Sequence, residues 1–307
     1  MTETTARKAT NKKSWWARHK FLLARRIVQA SVMGLFIVGY RADWQVMGRE
    51  VLEGNLSASR LLGVPLADPL ATLQIWLTGH QPLLDTLLGA GIVLGFYWLV
   101  GGRVFCSWVC PINPVADGAA WLRQRLSISG GLNLSRRLKY GVLGMALLLS
   151  MLTGVAAFEW ISPIGMFQRE LIYGMGYGWM AAAVIFLFDL ILLRQGWCGH
   201  LCPLGAFYSL VGRISPVRVG FQPAACTRCG DCHRVCPEPQ VLQLNKIGAA
   251  ERVYSGSCTN CGRCIESCNE NALGFTWAGA KSLRPIPQPE GQAKKQNEAT
   301  SVNRKAS

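Results

Sequence analysis

Acidic residues are scarce in this chain, 17 against 32 lysines and arginines, and charged residues of either sign make up only 16% of its 307 positions. Half of the residues are apolar. So little charge fits a membrane protein with a modest soluble part better than an ordinary globular domain. Histidine is rarer still, at four. His19, His80, His200 and His233 all lie outside the long apolar runs, whereas haem b between helices needs ligands within them, so no haem is expected. No cleavable leader is expected either. Residues 1–26 are too long, basic and polar, and no small-residue cleavage site follows the apolar run at 27–40. The net charge of +15 raises nucleic-acid binding, but the cations flank apolar segments, so no nucleic-acid partner is expected.

Four apolar stretches are present, at about 27–46, 82–100, 140–158 and 171–193, near the roughly 20 residues a helix needs to cross hydrocarbon. Cations sort cleanly between the loops. Eight Lys/Arg precede residue 27 and fourteen follow the fourth stretch. Arg103, Arg123, Arg125, Arg136, Arg137 and Lys139 lie between the second and third. Arg41, Arg49 and Arg60 alone lie between the first and second, and Arg169 alone between the third and fourth. The positive-inside rule puts both termini in the cytoplasm. The expected organisation is a basic arm (1–26), a four-span membrane domain (27–215), a ferredoxin-like domain (216–278) and a polar, disordered tail (279–307). Asp68-Pro69-Leu70 and Ser162-Pro163-Ile164 begin similar runs, each followed by a span and a Cys-x-x-x-Cys-Pro. The membrane part therefore reads as two tandem two-helix units. The fold class is an all-α four-helix transmembrane anchor with a C-terminal α+β two-cluster domain.

Twelve cysteines in a cytoplasm-facing chain favour ligation over disulfides. Eight of them form Cys226-x-x-Cys229-x-x-Cys232-x-x-x-Cys236-Pro237 and Cys258-x-x-Cys261-x-x-Cys264-x-x-x-Cys268. Three closely spaced cysteines wrap one [4Fe–4S] cube, and the fourth serves the other cube. Cys226, Cys229, Cys232 and Cys268 are expected to hold one cluster, and Cys258, Cys261, Cys264 and Cys236 the second. Zinc prefers paired Cys-x-x-Cys. Cys229-Gly230-Asp231-Cys232-His233 also fits haem c attachment, but that needs export and leaves Cys226 and Cys236 idle.

The remaining four cysteines form Cys106-Ser107-Trp108-Val109-Cys110-Pro111 and Cys198-Gly199-His200-Leu201-Cys202-Pro203. Residues four apart share a helix face, so each pair can present two sulfurs. Three readings stand open: a further metal centre, a redox dithiol, or packing against the ferredoxin domain. Asp189, about one turn inside the fourth span, is a candidate for proton release from a quinol; the alternative is an ion pair with Arg194 or Arg103. Asp68, Gln74, His80, Glu159 and Gln168 gather near the opposite face.

Four spans, paired Cys-x-x-x-Cys-Pro motifs after the second and fourth, and a terminal two-cluster unit resemble the NapH family, ferredoxin-type membrane proteins of periplasmic nitrate reductase systems. The runs from Arg103 to Pro111 and from Gly196 to Pro203 carry the likeness in particular, which extends over about residues 15–275. The resemblance implies a quinol dehydrogenase component of the bacterial inner membrane. Its electrons would pass from quinol to a NapG-type iron–sulfur protein, with a membrane-anchored c-type cytochrome as a further partner, and on to nitrate reductase. Competing expectations are a redox-sensing or assembly scaffold, and a metal-reducing maturation factor of the membrane polyferredoxin type. The latter proteins carry an added soluble domain after the ferredoxin unit, whereas only a polar tail of about 30 residues is expected there in this sequence.

Overall fold

The computed structural model describes residues 13–42, 45–46, 49–128, 131–132, 134–174, 176–242, 252–253 and 255–277. The tail at 279–307 and the first twelve residues of the expected arm lie outside them.

Helix α1 runs Trp15–Ala42. Two short pairs of residues, β1 (Gln45–Val46) and β2 (Arg49–Glu50), precede an antiparallel meander of β3 (Leu52–Gly54), β4 (Ala58–Leu61) and β5 (Val64–Ala67). Then come α2 (Pro69–Leu77), α3 (Leu84–Val100), α4 (Val104–Trp108) and α5 (Ile112–Arg125). A second series follows with α6 (Leu138–Thr153), α7 (Ala157–Ile161), α8 (Pro163–Tyr173), α9 (Gly178–Ile191), a wide helical turn at Trp197–Leu201, and α10 (Pro203–Val211). The ferredoxin-like part has β6 (Val217–Phe221), α11 (Asp231–Val235), α12 (Arg263–Ser267) and β7 (Leu273–Trp277). Strands β6 and β7 pair antiparallel, from Val217 opposite Trp277 to Phe221 opposite Leu273.

Three sequence expectations change. The helix that was to begin near 27 begins at Trp15, because the segment 15–26 has no breaker and rests on the ferredoxin part. There, Phe21 and Leu22 donate their backbone N–H groups to Glu266 Oε1 at 2.5 and 3.2 Å. The same helix ends at Ala42, short of the expected 46, and the loop after it holds a sheet and the helix α2. The run 171–193 is broken: Gly174, at φ 66, ends α8, and α9 restarts at Gly178. Only α1 among the described helices is long and apolar enough alone to cross a membrane. Helices α3, α6 and α9 are apolar but have 17, 16 and 14 residues, or about 21–26 Å at 1.5 Å per residue.

The repeat is larger than two helices. Each copy is a short Pro-initiated helix (α2, α8), an apolar helix (α3, α9), a cysteine turn and a closing helix (α5, α10). Pro69 and Pro163 start their helices because proline fits the first turn, where its missing N–H is no loss. The copies exchange partners: α5 packs on α9, and α10 on α3 and α6. Leu70 and Ile164, at equivalent places, enter one core with Cys110 and Cys202.

The ferredoxin part is bolted to this core by buried charge. Arg103, 1% exposed, donates to Glu238 Oε1 at 2.6 Å and to the carbonyls of Cys198 and Ser257 at 2.9 and 3.0 Å. Arg136 reaches the other Glu238 oxygen at 2.8 Å. Burial alone raises the Glu238 carboxyl, but the adjacent Arg103, Lys139 and Arg136 hold it below its ordinary value. Asp117 on α5 is a second bolt, paired with Arg26 of α1 at 2.5 Å and with Arg263 of α12. Close backbone approach completes the joint. A Cβ on Gly102 would fall 2.3 Å from Gly212 Cα, and one on Gly256 2.1 Å from the Ser209 carbonyl.

Removing one member of a buried pair strands the other charge, at a cost of about 3–5 kcal/mol. Glu238→Ala is therefore expected to lower the temperature at which the protein unfolds and releases iron. Arg60→Ala, at an exposed pair with Asp85, is expected to leave it unchanged. Thermal melts with an iron chelator measure both.

Candidate redox site

The two cysteine triples fold alike. Arg228 and Asn260 have φ 56 and 47, and Gly230 and Gly262 have φ 81 and 75. Positive φ at alternate positions curls each loop around a centre, and glycine takes that conformation without steric cost. Backbone N–H groups turn toward sulfur: Arg228 N lies 3.4 Å from Cys226 Sγ, and Ala272 N 3.3 Å from Cys268 Sγ. Such hydrogen bonds tune iron–sulfur potentials. Burial pushes the Cys232 thiol up, and the nearby Cys268, Cys229 and Cys226 add to it. Cys236, pushed up to about 12 by burial, has Cys261 and Cys258 as its sulfur neighbours. Helices α11 and α12, each followed directly by the fourth cysteine of its motif, pack together. The donor set, thiolates with inward N–H groups, fits an iron–sulfur cluster.

The second triple sits against the first cysteine turn. Ser107 Oγ donates to the Thr259 carbonyl at 2.7 Å and Trp108 Nε1 to the Asn260 carbonyl at 3.2 Å. Asn260 Nδ2 in turn donates to the carbonyls of Val100 and Val217.

The four remaining cysteines converge. Cys106, Cys110, Cys198 and Cys202 line one cavity of about 20 Å³, closed by Phe105, Ile164, Trp197 and Leu204. A second small space joins Cys106 and Cys198 to Cys261. On the other side, Phe105, Ile164 and Leu204 also wall a much larger cavity of about 520 Å³. This one lies between α1, the β3–β5 sheet, α3 and α8. Its walls are apolar, with Val32, Phe36, Ile92 and Val93 among them, and its polar groups include Ser57, Asp68, Glu159 and Gln168. Ser57 Oγ donates to Glu159 Oε2 at 2.7 Å, and Asp68 Oδ1 accepts from Leu70 N at 3.2 Å. Burial, with the Glu159 charge nearby, raises the Asp68 carboxyl to about 7. Tyr97, Phe105 and Tyr208 form an aromatic trio at 5.1–5.8 Å.

Asp189 does not line that large cavity. It is buried, and Oδ1 accepts from Trp197 N at 2.9 Å, fixing the turn that carries Cys198. Neither expected arginine pairs with it: Arg103 binds Glu238, and Arg194 donates to the Arg234 carbonyl at 3.1 Å. His80 bonds Thr78 at an exposed helix end, and Gln74 points into the protein, where its Oε1 accepts from Phe158 N at 2.9 Å. Sequence reasoning misses Glu238 and Asp117, and it gives Arg103 only as a loop cation or a partner for Asp189. A glutamate one residue after Cys236-Pro237 and an arginine three before Cys106 were the available signals.

Cysteine loops of this form on a chain with apolar helices define a ferredoxin-type iron–sulfur electron-transfer protein. A family described as a 4Fe-4S dicluster domain matches residues 218–269, and one described as a 4Fe-4S binding domain matches residues 83–129 and 175–222. The methylamine utilization ferredoxin-type protein MauN of Methylobacillus flagellatus is 48% identical over 272 residues, 88% of this chain and 94% of that protein. The ferredoxin-type protein NapH of Escherichia coli is 42% identical over 283 residues, 90% and 97% of the two chains. The NapH of Haemophilus influenzae is 42% identical over 277 residues, 88% and 94%. This chain belongs to the NapH/MauN family of ferredoxin-type proteins. No solved structure matches it.

Asp68 gives a pH signature. Its folded pKa is raised, so the stability tied to its neutral form is complete below about pH 4 and is lost as pH rises through about 7. Asp68→Asn is expected to remove the decline that the wild type shows between about pH 4 and pH 7. Thermal melts across that range read the difference.

Proposed function

We propose that this chain is a multi-pass protein of the bacterial inner membrane that takes electrons from the quinol pool, with clusters and both termini on the cytoplasmic side. The observation that carries this reading is the 520 Å³ apolar cavity with carboxylates among its few polar groups. A quinol is a flat ring with two hydroxyls on an apolar tail, and a cavity with apolar walls and few polar groups suits it. Its oxidation releases protons. Asp68, with a pKa near 7, accepts one near neutral pH, and Ser57 orients Glu159 beside it.

When bound, two [4Fe–4S] clusters supply one-electron carriers. Cys226, Cys229, Cys232 and Cys268 hold one, and Cys258, Cys261, Cys264 and Cys236 hold the other. The sulfur neighbours of Cys232 and Cys236 support that crossing. Membrane contact is supported by exposed apolar side chains on the shorter helices, such as Leu88, Ile92, Leu148, Leu152, Val184 and Leu187.

The NapH likeness directs electrons to a NapG-type iron–sulfur protein, a c-type cytochrome and periplasmic nitrate reductase. The 48% identity to MauN makes a methylamine-utilization system the second reading of the acceptor. The scaffold reading separates from both in one assay. Purified protein with intact clusters is mixed with a reduced short-chain quinol, and the clusters are followed by EPR and visible absorption. Reduction is expected in the wild type and is expected to slow about tenfold or more in Val93→Trp, which fills the cavity. Dithionite should reduce both equally. No reduction of intact wild-type clusters, or the same rate in the filled variant, removes the quinol role.

A further inference from the structure

The large apolar cavity has a polar neighbour. A pocket of about 250 Å³ is lined by Asn55, Ser57, Glu159, Trp160, Gly165 and Arg169. It reaches the surface, where Trp160 is 72% exposed and Arg169 is exposed. Ser57, Glu159 and Gly165 line both spaces, so Glu159 of α7 stands in the partition between them. We propose that Glu159 is a proton relay from the large cavity to this outer pocket, so that quinol oxidation releases its protons on the face opposite the ferredoxin clusters. That role rests on the quinol reading and adds a function to it, the separation of charge across the membrane.

The carboxylates and the cluster loops belong to opposite sides. Asp68 caps the Pro-initiated helix α2, and Glu159 stands just ahead of its counterpart α8. Both fall in the cation-poor loops, those with Arg41, Arg49 and Arg60 and with Arg169 alone. The ferredoxin cysteines follow the fourth apolar stretch, among the cation-rich segments that the positive-inside rule keeps in the cytoplasm.

The walls of the large cavity favour the same direction. Its ionisable lining groups are Asp68, Glu159 and the buried phenols of Tyr97 and Tyr208. Toward the sulfurs it is closed by Phe105, Ile164 and Leu204, and the thiol cavity beyond has no carboxylate or histidine in its lining. Carboxylates and histidines are the side chains that relay protons in membrane proteins. Asp68 lines the large cavity alone, whereas Glu159 also meets the outer pocket, and its charge acts on Asp68. Polar groups continue outward from it. Ser57 Oγ donates to Glu159 Oε2 at 2.7 Å, and Ser57 N donates to Asn55 Oδ1 at 2.9 Å. A quinol that becomes a quinone gives up two electrons and two protons. The two ferredoxin clusters take one electron each, and the protons pass through the Glu159 carboxyl to water in the outer pocket.

The test reads the side on which acid appears. Full-length protein is reconstituted into lipid vesicles holding a trapped, impermeant pH dye, and vesicles with the C-terminal tail outward are captured through a tag on that tail. A reduced short-chain quinol is added, with ferricyanide outside as the impermeant one-electron acceptor and valinomycin with potassium to prevent charge build-up. Empty vesicles measure the direct reaction. The lumen is expected to acidify by about two protons per quinol oxidised. Glu159→Gln should slow acidification about tenfold or more and keep the dithionite-reduced EPR signals. Arg169→Trp, which fills the outer pocket from an exposed position and leaves the lining of the large cavity intact, should slow it likewise. Asp85→Asn, at an exposed pair on the same face, should change nothing. Ferricyanide reduction with acid released outside overturns the relay and leaves the quinol reading standing. No reduction beyond that in empty vesicles overturns both. Wild-type acidification in Glu159→Gln overturns the relay, and if that variant does not fold, wild-type acidification in Arg169→Trp does so.

Discussion

The buried pair of Arg103 and Glu238 is the contact on which the rest of the arrangement depends. Taking two charges out of water costs several kcal/mol per ion, and the attraction repays this only with good geometry and further hydrogen bonds. Both conditions are met. Arg103 also donates to the Cys198 and Ser257 carbonyls, and Glu238 also accepts from Gln240 Nε2 and forms an ion pair with Arg136. The sequence positions matter as much as the distances. Arg103 precedes Cys106, Glu238 follows Cys236, Ser257 precedes Cys258, and Cys198 belongs to the second repeat. One guanidinium thus ties together neighbours of cysteines from both repeats and from both ferredoxin motifs. Asp117 repeats the device on the other flank, joining α1, α5 and α12.

The internal repeat gains its meaning from this joint. Two tandem copies that packed side by side would hold their cysteine turns apart. Because each copy's closing helix packs against the other copy's apolar helix, the turns meet. The short helices α2 and α8 contribute Leu70 and Ile164 to the same core. Glycines at 102, 212 and 256 let three backbones approach at the seam to distances that a Cβ would forbid. The ferredoxin part is therefore held against the helical core at a set place, with the Thr259 and Asn260 carbonyls accepting from Ser107 and Trp108 of the first cysteine turn.

Three spaces follow one another through the molecule: a large apolar cavity, a small cavity of four thiols, and a polar space reaching Cys261. Their chemistry changes in step. The first has carboxylates among its polar groups, the second is sulfur among apolar side chains, and the third is lined by arginines, Asp117 and Glu238. Tyr97, Phe105 and Tyr208 line the first space together with Asp68 and Glu159, and Phe105 also walls the second.

The chain by itself determined the features that are local. Cysteine spacing alone marks the two triples, because a loop of three closely spaced thiols is set by the chain between them. The glycines at 230 and 262 belong to the same local geometry. Apolar runs marked the helices α1, α3, α6 and α9, and the pairing of Asp68-Pro69 with Ser162-Pro163 marked a repeat. Tertiary structure decided what depends on distant partners. The chain could not show that α1 starts at Trp15, because what holds that turn in place is Glu266, far along the sequence. It could not show that Asp189 fixes the turn of Cys198 instead of meeting an arginine, because Arg103 is claimed by Glu238. Nor could it show that four thiols from two copies face one another. That depends on which helix packs on which, and ridges and grooves on apolar helices carry little mark of their partner in any single stretch of sequence.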